Sequence, residues 1–274
     1  MKKVYLDYAS LTPIDRGVMK QIKKYSSKDY TNPSSLYVSG VKSKIALESA
    51  KNRIAKVLHA HADEIIFTSG GTESNDLVSQ AFENKNIIIS EIEHSSIIKN
   101  TKAIRVRVDK NGVVDLGELE KTITKETVLV SIMMVNNEIG SIEPIKEIAK
   151  IVRNARRKNS ENNKDCMYPF LHTDACQAGL LPLYVEKLGI DMMTLDGNKI
   201  YGPRGVGILY IKRGTVEISR SGTENLPGIM GLVTALEIME KMRDKEYKRL
   251  NELKDLFITG LKRINKDIKI NGQE

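Results

Sequence analysis

Lys199 follows the apolar run 192–195 and is followed in turn by Gly202, Pro203, Gly205 and Gly207. Glycine and proline interrupt helices and strands alike, so this amine belongs to a turn, where it is either a solvated side chain or a nucleophile. Four other stretches end an apolar run in residues able to do chemistry. "IIFTSGGTESN" reads as strand, glycine turn and helix. Gly71 and Thr72 at that helix start offer backbone N–H groups and a hydroxyl to a phosphate, although a simple strand-to-helix turn has the same pattern. "IIISEIEHSS" places His94 in a polar loop, as a surface residue or a flat imidazole for stacking on a ring. "VSIMMVNNEIG" ends in Asn136 and Asn137, amides that hold a ligand oxygen or cap a turn. "FLHTDACQAG" delivers Asp174 and Gln177, and an acid there is either functional or a helix cap.

Singly, each stretch has two readings. Together they supply a phosphate cradle, an imidazole, an amide, a carboxylate and an amine. Pyridoxal phosphate (PLP) asks for that inventory: a lysine for the aldehyde, a carboxylate to keep the pyridine nitrogen protonated, and donors for the phosphate. The glycines around Lys199 are then expected to let backbone pass close to the cofactor.

These residues need elements to position them. Strands are predicted at 64–69, 86–90, 103–108, 127–135, 168–174, 190–195 and 205–212, several of them apolar throughout, the pattern of strands covered on both faces. Helical stretches alternate with them, among them "SKIALESAKNRIAKVLHA", "TESNDLVSQAFEN" and "PIKEIAKIVRNARRK". The fold class is therefore α/β with a mostly parallel sheet, and ligands of such sheets bind beyond the carboxyl ends of the strands. From Ile229 to about Ile264 the pattern is helical and highly charged, and "DIKING" at 267–272 is a possible further strand.

A chain of 274 residues can bury a full core. Its apolar runs are all too short to span a bilayer, and the start "MKKVYLDYAS" has no signal-peptide core, so an intracellular, cytoplasmic protein without membrane contact is expected. Cys166 and Cys176 form neither a CxxC nor a zinc pattern. The balance of 43 Lys+Arg against 35 Asp+Glu gives a net charge of +8. The basic residues are scattered over solvated helix faces with no aromatics between them, which argues against a nucleic-acid partner.

At this point the chain resembles a known family. "YLDYASLTP", "NPSS", "TSGGTESN", "EIEHSS", "VNNEIG", "HTDACQAG", "KIYGPRGVG" and "RSGTEN" occur in the order and approximate spacing found in cysteine desulfurases, the class V branch of the PLP-dependent aminotransferase fold (fold type I). The resemblance implies a three-layer large domain at 15–228 behind an N-terminal segment at 1–14, with 229–274 a long helix leading into an incomplete C-terminal domain. It implies that Lys199 binds the cofactor covalently and shuttles protons, that His94 stacks on the pyridine ring, and that Asp174 pairs with the ring nitrogen. Asn137 and Gln177 would contact the ring hydroxyl oxygen, and Gly71 and Thr72 would hold the phosphate. Thr223 is the residue such enzymes lend across a homodimer to the neighbour's phosphate. The implied reaction converts L-cysteine to L-alanine and leaves a persulfide on a cysteine, for delivery to a sulfur acceptor or scaffold protein in iron–sulfur cluster assembly or tRNA thiolation.

The chain also departs from the family pattern. The family's nucleophilic cysteine and its carboxylate-gripping arginine belong to the C-terminal domain, so reduced turnover by this chain is expected. Cys176 reads as a packed thiol and Cys166 lies in a variable stretch. Asp196, Gly197 and Asn198 stand where the family has a serine, a small residue and a histidine, and an ionised Asp196 would repel a phosphate unless it turns away or pairs. The stretch between Lys199 and Arg220 is shorter than in relatives by about a dozen residues, against connections of usual length. Alternatives are a non-catalytic PLP-fold binding protein, or a lyase acting on selenocysteine or cysteine sulfinate. Ile229, Met230, Leu232, Leu236 and Ile238 are expected to be partly exposed and to drive self-association.

Overall fold

Seven runs of β-branched and apolar residues form one sheet, and the character of each run explains its depth. A computed structural model of the chain describes residues 4–99, 102–164 and 166–272. In chain order the elements are α1 (Arg16–Ser27), α2 (Val38–Leu58), β1 (Ile65–Thr68), α3 (Gly71–Ala81), β2 (Asn86–Ser90), α4 (Ser95–Ile98), β3 (Ile104–Val106), α5 (Leu116–Thr122), β4 (Thr127–Ser131), α6 (Ile145–Asn162), β5 (Phe170–Asp174), α7 (Val185–Leu188), β6 (Met192–Asp196), β7 (Gly207–Ile211) and α8 (Leu226–Ile264). All seven expected strands are present, most of them trimmed at one or both ends; β4 stops at Ser131, short of the expected Val135, where the chain leaves the sheet.

The strand order is β1-β7-β6-β5-β4-β2-β3, and only β7 pairs antiparallel, with β1 and with β6. Six carboxyl ends therefore share one edge. Successive side chains on a strand face opposite ways, and the core divides accordingly. Ile88, Val130, Leu171, Met193 and Ile208 join one apolar cluster with residues of α2, α6 and α8. Ile87, Ile89, Leu129, Phe170, Met192 and Leu209 join the other with Val78 of α3 and Phe82 just after it. The central strands are thus covered on both faces, while β3 at the edge is largely exposed, and three layers result.

The helix α8 corrects one expectation. Ile229, Met230, Leu232 and Leu236 are at most 4% exposed, and Ile238 is half-buried. They are not waiting for another domain, because α1 and α2 cover that face. A Cβ on Gly231 would meet the Ile22 side chain at 2.8 Å, so α1 and α8 approach closely there. Arg53 of α2 holds Glu237 of α8 through two hydrogen bonds, Nε at 2.8 Å and Nη2 at 2.7 Å. The exposed apolar residues lie further along the helix, at Leu250, Leu253, Leu256, Phe257 and Ile264. At about 1.5 Å per residue, α8 is much longer than the layer it covers. Residues 267–272 form no strand. Among the described residues, no helix is long and apolar enough to cross a membrane.

The burial boundary along α8 has a measurable consequence. Leu232→Ala should cost about 2–5 kcal/mol in chemical denaturation, and Leu256→Ala less than about 0.5 kcal/mol. Similar costs for both would contradict the assignment of the first half of α8 to the core.

Candidate functional site

A cavity of about 470 Å³ opens at the carboxyl edge of the sheet, lined by Gly71, Thr72, His94, Asn137, Asp174, Gln177 and Lys199. Seven of the eight predicted site residues therefore converge on one place. Thr223 does not line it and lies exposed in the segment before α8.

Asp174 ends β5 and is 5% exposed. A carboxylate so buried needs donors. Asn75 Nδ2 donates to its Oδ2 at 2.7 Å and the Cys176 N–H to its Oδ1 at 3.0 Å. Asn75 Nδ2 also donates to Ser96 Oγ at 2.9 Å, and Ser96 Oγ lies 2.8 Å from His94 Nδ1. Because the Ser96 N–H donates to His94 Nδ1 as well, that nitrogen is the acceptor and a neutral ring carries its proton on Nε2. One network thus orients the carboxylate and the imidazole together. Sequence reasoning missed Asn75. Its signal is the spacing of four residues from Gly71, which puts both on one face of α3.

Glu93 was missed too. It is fully buried beside His94, and burial pushes its carboxyl up to about 8. Ser90 Oγ donates to its Oε1 at 2.6 Å and the Met133 N–H at 2.8 Å, tying the His94 loop to the end of β4. Asn136 works alongside: its Oδ1 accepts from the N–H groups of Glu138 and Ile139, and its Nδ2 donates to Ile92 O. It therefore shapes the loop, while Asn137 faces the cavity. Beneath Asp174, His172 is buried between Ser131 and Thr194, and burial lowers its pKa to about 4.

Lys199 stands on the turn after β6, with Nζ donating to the carbonyls of Ala9 at 2.9 Å and Ser10 at 2.7 Å. Gln177 Nε2 donates to the same Ala9 carbonyl at 2.8 Å. The N-terminal segment is stapled across this wall: Thr12 Oγ1 donates to Asn198 O at 2.7 Å and accepts from the Tyr201 N–H at 2.8 Å. The glycines around Lys199 serve another purpose than the one expected. A Cβ on Gly197 would stand 2.7 Å from Pro203 O, and one on Gly202 2.6 Å from Gly197 O, so they let the lysine turn fold back on its own backbone.

Cys176 is not an activated nucleophile. Burial, followed by the charges of Asp174 and Asp196, raises the Cys176 thiol well above its ordinary value. Its sulfur is packed so closely on α3 that a Cβ on Gly71 would lie 2.6 Å from it. Cys166 does not line the cavity.

A parallel sheet with an amine, a carboxylate, an imidazole and a helix start at one edge defines a PLP-type enzyme core, and comparison with known proteins gives it a family. The pattern of the aminotransferase class-V family matches residues 4–274. The chain is 39% identical to the cysteine desulfurase IscS of Dictyoglomus turgidum, over 99% of its own length and 72% of that protein. A solved NifS-like protein superposes with a TM-score of 0.87 at 34% identity, covering 96% of this chain and 77% of the other. SspA, solved in complex with cysteine, superposes at 0.75 with 29% identity, covering 86% and 72%. The chain belongs to the cysteine desulfurases of the class-V aminotransferase family.

That family implies PLP, and the residues present fit the group at its ring end: a buried carboxylate, an oriented imidazole, an amide and an amine on one cavity. At the anionic end the fit is incomplete, because the Gly71 N–H already donates to Asp196 Oδ2 at 2.8 Å.

The raised Glu93 carboxyl makes a pH prediction. Its protonated form is favoured in the folded chain, so the stability it contributes is complete below about pH 4.5 and is lost as pH rises toward 8. Between pH 5 and 7.5 wild type should lose on the order of 3 kcal/mol more than Glu93→Gln. Glu143, raised by burial to about 7, and His172 remain in both chains, so their slopes cancel. Denaturation across this range reads the difference, and parallel curves would show Glu93 ionised in the fold.

Proposed function

We propose that the chain is the PLP-binding core of a cysteine desulfurase, acting on L-cysteine to give L-alanine and passing the sulfur to a cysteine thiol as a persulfide, for iron–sulfur cluster assembly or tRNA thiolation. The observation that carries this reading is the convergence of Lys199, Asp174, His94 and Gln177 on one cavity. Cysteine as substrate is supported by the similarity to IscS and to a structure holding cysteine.

When bound, PLP supplies an aldehyde for amines and an electron sink conjugated to the substrate's α-carbon. Lys199 would be the amine that holds the aldehyde and the group that moves a proton at that carbon. Its hydrogen bonds to Ala9 and Ser10 hold the amine at the cavity wall. Asp174, kept in place by Asn75, holds a proton on the ring nitrogen, and its burial makes that pairing strong. His94, fixed through Ser96, is the stacking group. Gln177 and Asn137 would be the partners of the ring oxygen, and Thr72 and, once Asp196 releases its N–H, Gly71 those of the phosphate.

A homodimer belongs to the same proposal. Thr223 is exposed and outside its own chain's cavity, which supports a role in a neighbour's site. Leu36, Tyr37, Val38, Val41 and Ile45 form an exposed apolar group at the start of α2, which supports self-association. The exposed apolar residues of distal α8 support reading the latter part of 229–274 as the lead into a C-terminal domain, while the start of that segment packs with the cofactor domain at 15–228. The proposal places the enzyme in the cytoplasm. A second reading, a non-catalytic PLP-fold binding protein, is favoured by the protonated, packed state of Cys176.

Visible absorption of the chain with added PLP tests the proposal. Wild type should show a band that Lys199→Ala lacks and that L-cysteine shifts. A band that cysteine leaves unmoved supports the second reading, and no Lys199-dependent band at all removes the cofactor assignment.

A further inference from the structure

The start of α3 faces the cavity with an anion already on it. The Gly71 N–H donates to Asp196 Oδ2 at 2.8 Å, and the Asn198 N–H donates to Asp196 Oδ1 at 2.9 Å. Gly70 has φ 153° and ψ −177°, a conformation available to glycine almost alone. A Cβ built there would stand 3.0 Å from Asp196 Oδ2. The carboxylate therefore lies flush on the glycine pair, while Asp196 lines the same cavity as Lys199.

Charge makes this occupancy consequential. A helix N-terminus carries roughly half a positive charge, less than one carboxylate already brings. The neighbouring acid in that turn, Glu73, accepts from the Ser69 N–H and is matched by Arg220, whose Nε donates to it at 2.9 Å. No ion pair joins Asp196 to a cation among the described residues, and Lys199 directs its amine to Ala9 and Ser10. Asp174 adds a further acid to the cavity. A phosphate dianion arriving here meets a taken amide and an uncompensated carboxylate.

We infer that Asp196 is an internal competitor for the cofactor's phosphate and a determinant of cofactor specificity: it weakens binding of the phosphorylated cofactor and leaves binding of the unphosphorylated pyridoxal ring largely untouched. The inference rests on the PLP reading of the cavity. It concerns the anionic end, whereas Lys199, Asp174 and His94 serve the ring and aldehyde.

The experiment measures dissociation constants for PLP and for pyridoxal by spectroscopic titration of wild type, Asp196→Ser and Asp196→Asn. Serine keeps a short acceptor for the Asn198 N–H, asparagine keeps the size, and thermal unfolding of each reports that it is folded. Removing the carboxylate should tighten PLP binding by about tenfold or more and change pyridoxal binding by less than about threefold. Equal PLP affinity in wild type and in whichever variants are folded, or an equal gain for both ligands, overturns the inference while leaving the Lys199-dependent band intact. Failure of every chain to bind either ligand overturns the cofactor reading and this inference with it.

Discussion

A carboxylate buried at the end of a central strand has to be paired, and the pairing of Asp174 sets the rest of the site. Unpaired, it would carry a desolvation cost that no apolar packing offsets. Asn75 supplies the donor from α3 at 2.7 Å, and with Ser74, which bonds Thr68 and the Ile208 carbonyl, and the packed Val78 it sets the rotation of that helix over the sheet. With α3 turned that way, Gly71, one turn earlier on the same face, presents its amide to the cavity. The same asparagine reaches Ser96, and Ser96 reaches His94. Sheet order does the remainder: β6 pairs with β5 in register Asp174↔Thr194, and two residues further along the strand stands Asp196.

The cavity is short of positive charge. Asp7, Glu138, Asp174 and Asp196 all line it, against the single ammonium of Lys199. The fold manages this in three different ways. Asp174 takes neutral donors, Asp196 takes backbone amides at a helix start, and Glu93 behind the His94 loop avoids ionising because it is fully buried. Cys176 stays a thiol chiefly because it is buried, with the neighbouring charges of Asp174 and Asp196 adding to the effect. Charges that neighbours cannot neutralise are thus either capped by N–H groups or never formed.

Much of this was legible in the sequence, for identifiable reasons. A strand buried on both faces leaves a continuous apolar run, and "NIIIS", "TVLVSIMMV" and "IDMMTL" each mark a strand that is present, the second ending early at Ser131. Polar residues that end such runs fall on one edge whenever the strands run the same way, which is why seven of the eight site residues could be grouped without coordinates. What was not legible depends on which element lies over which. Burial of Leu232 and Leu236 follows from α1 and α2 covering α8, a contact between segments about 200 residues apart. The supporting roles of Asn75 and Glu93 are equally non-local. An asparagine inside a helix and a glutamate in a loop look like surface residues until their partners are known.

Asp196 shows how a change of one residue type can reverse a local signal without disturbing the fold. The glycine pair at the start of α3 reads as an anion cradle, and structurally it is one, since it holds an anion at 2.8 Å. The anion is the chain's own. Because the carboxylate also caps the turn that carries Lys199, through the Asn198 N–H, it contributes to the geometry of the amine while occupying the amide opposite it. The two ends of the site are consequently coupled through one side chain. Any group displacing Asp196 from Gly71 must leave it a way to keep its hold on Asn198, or the lysine turn moves with it.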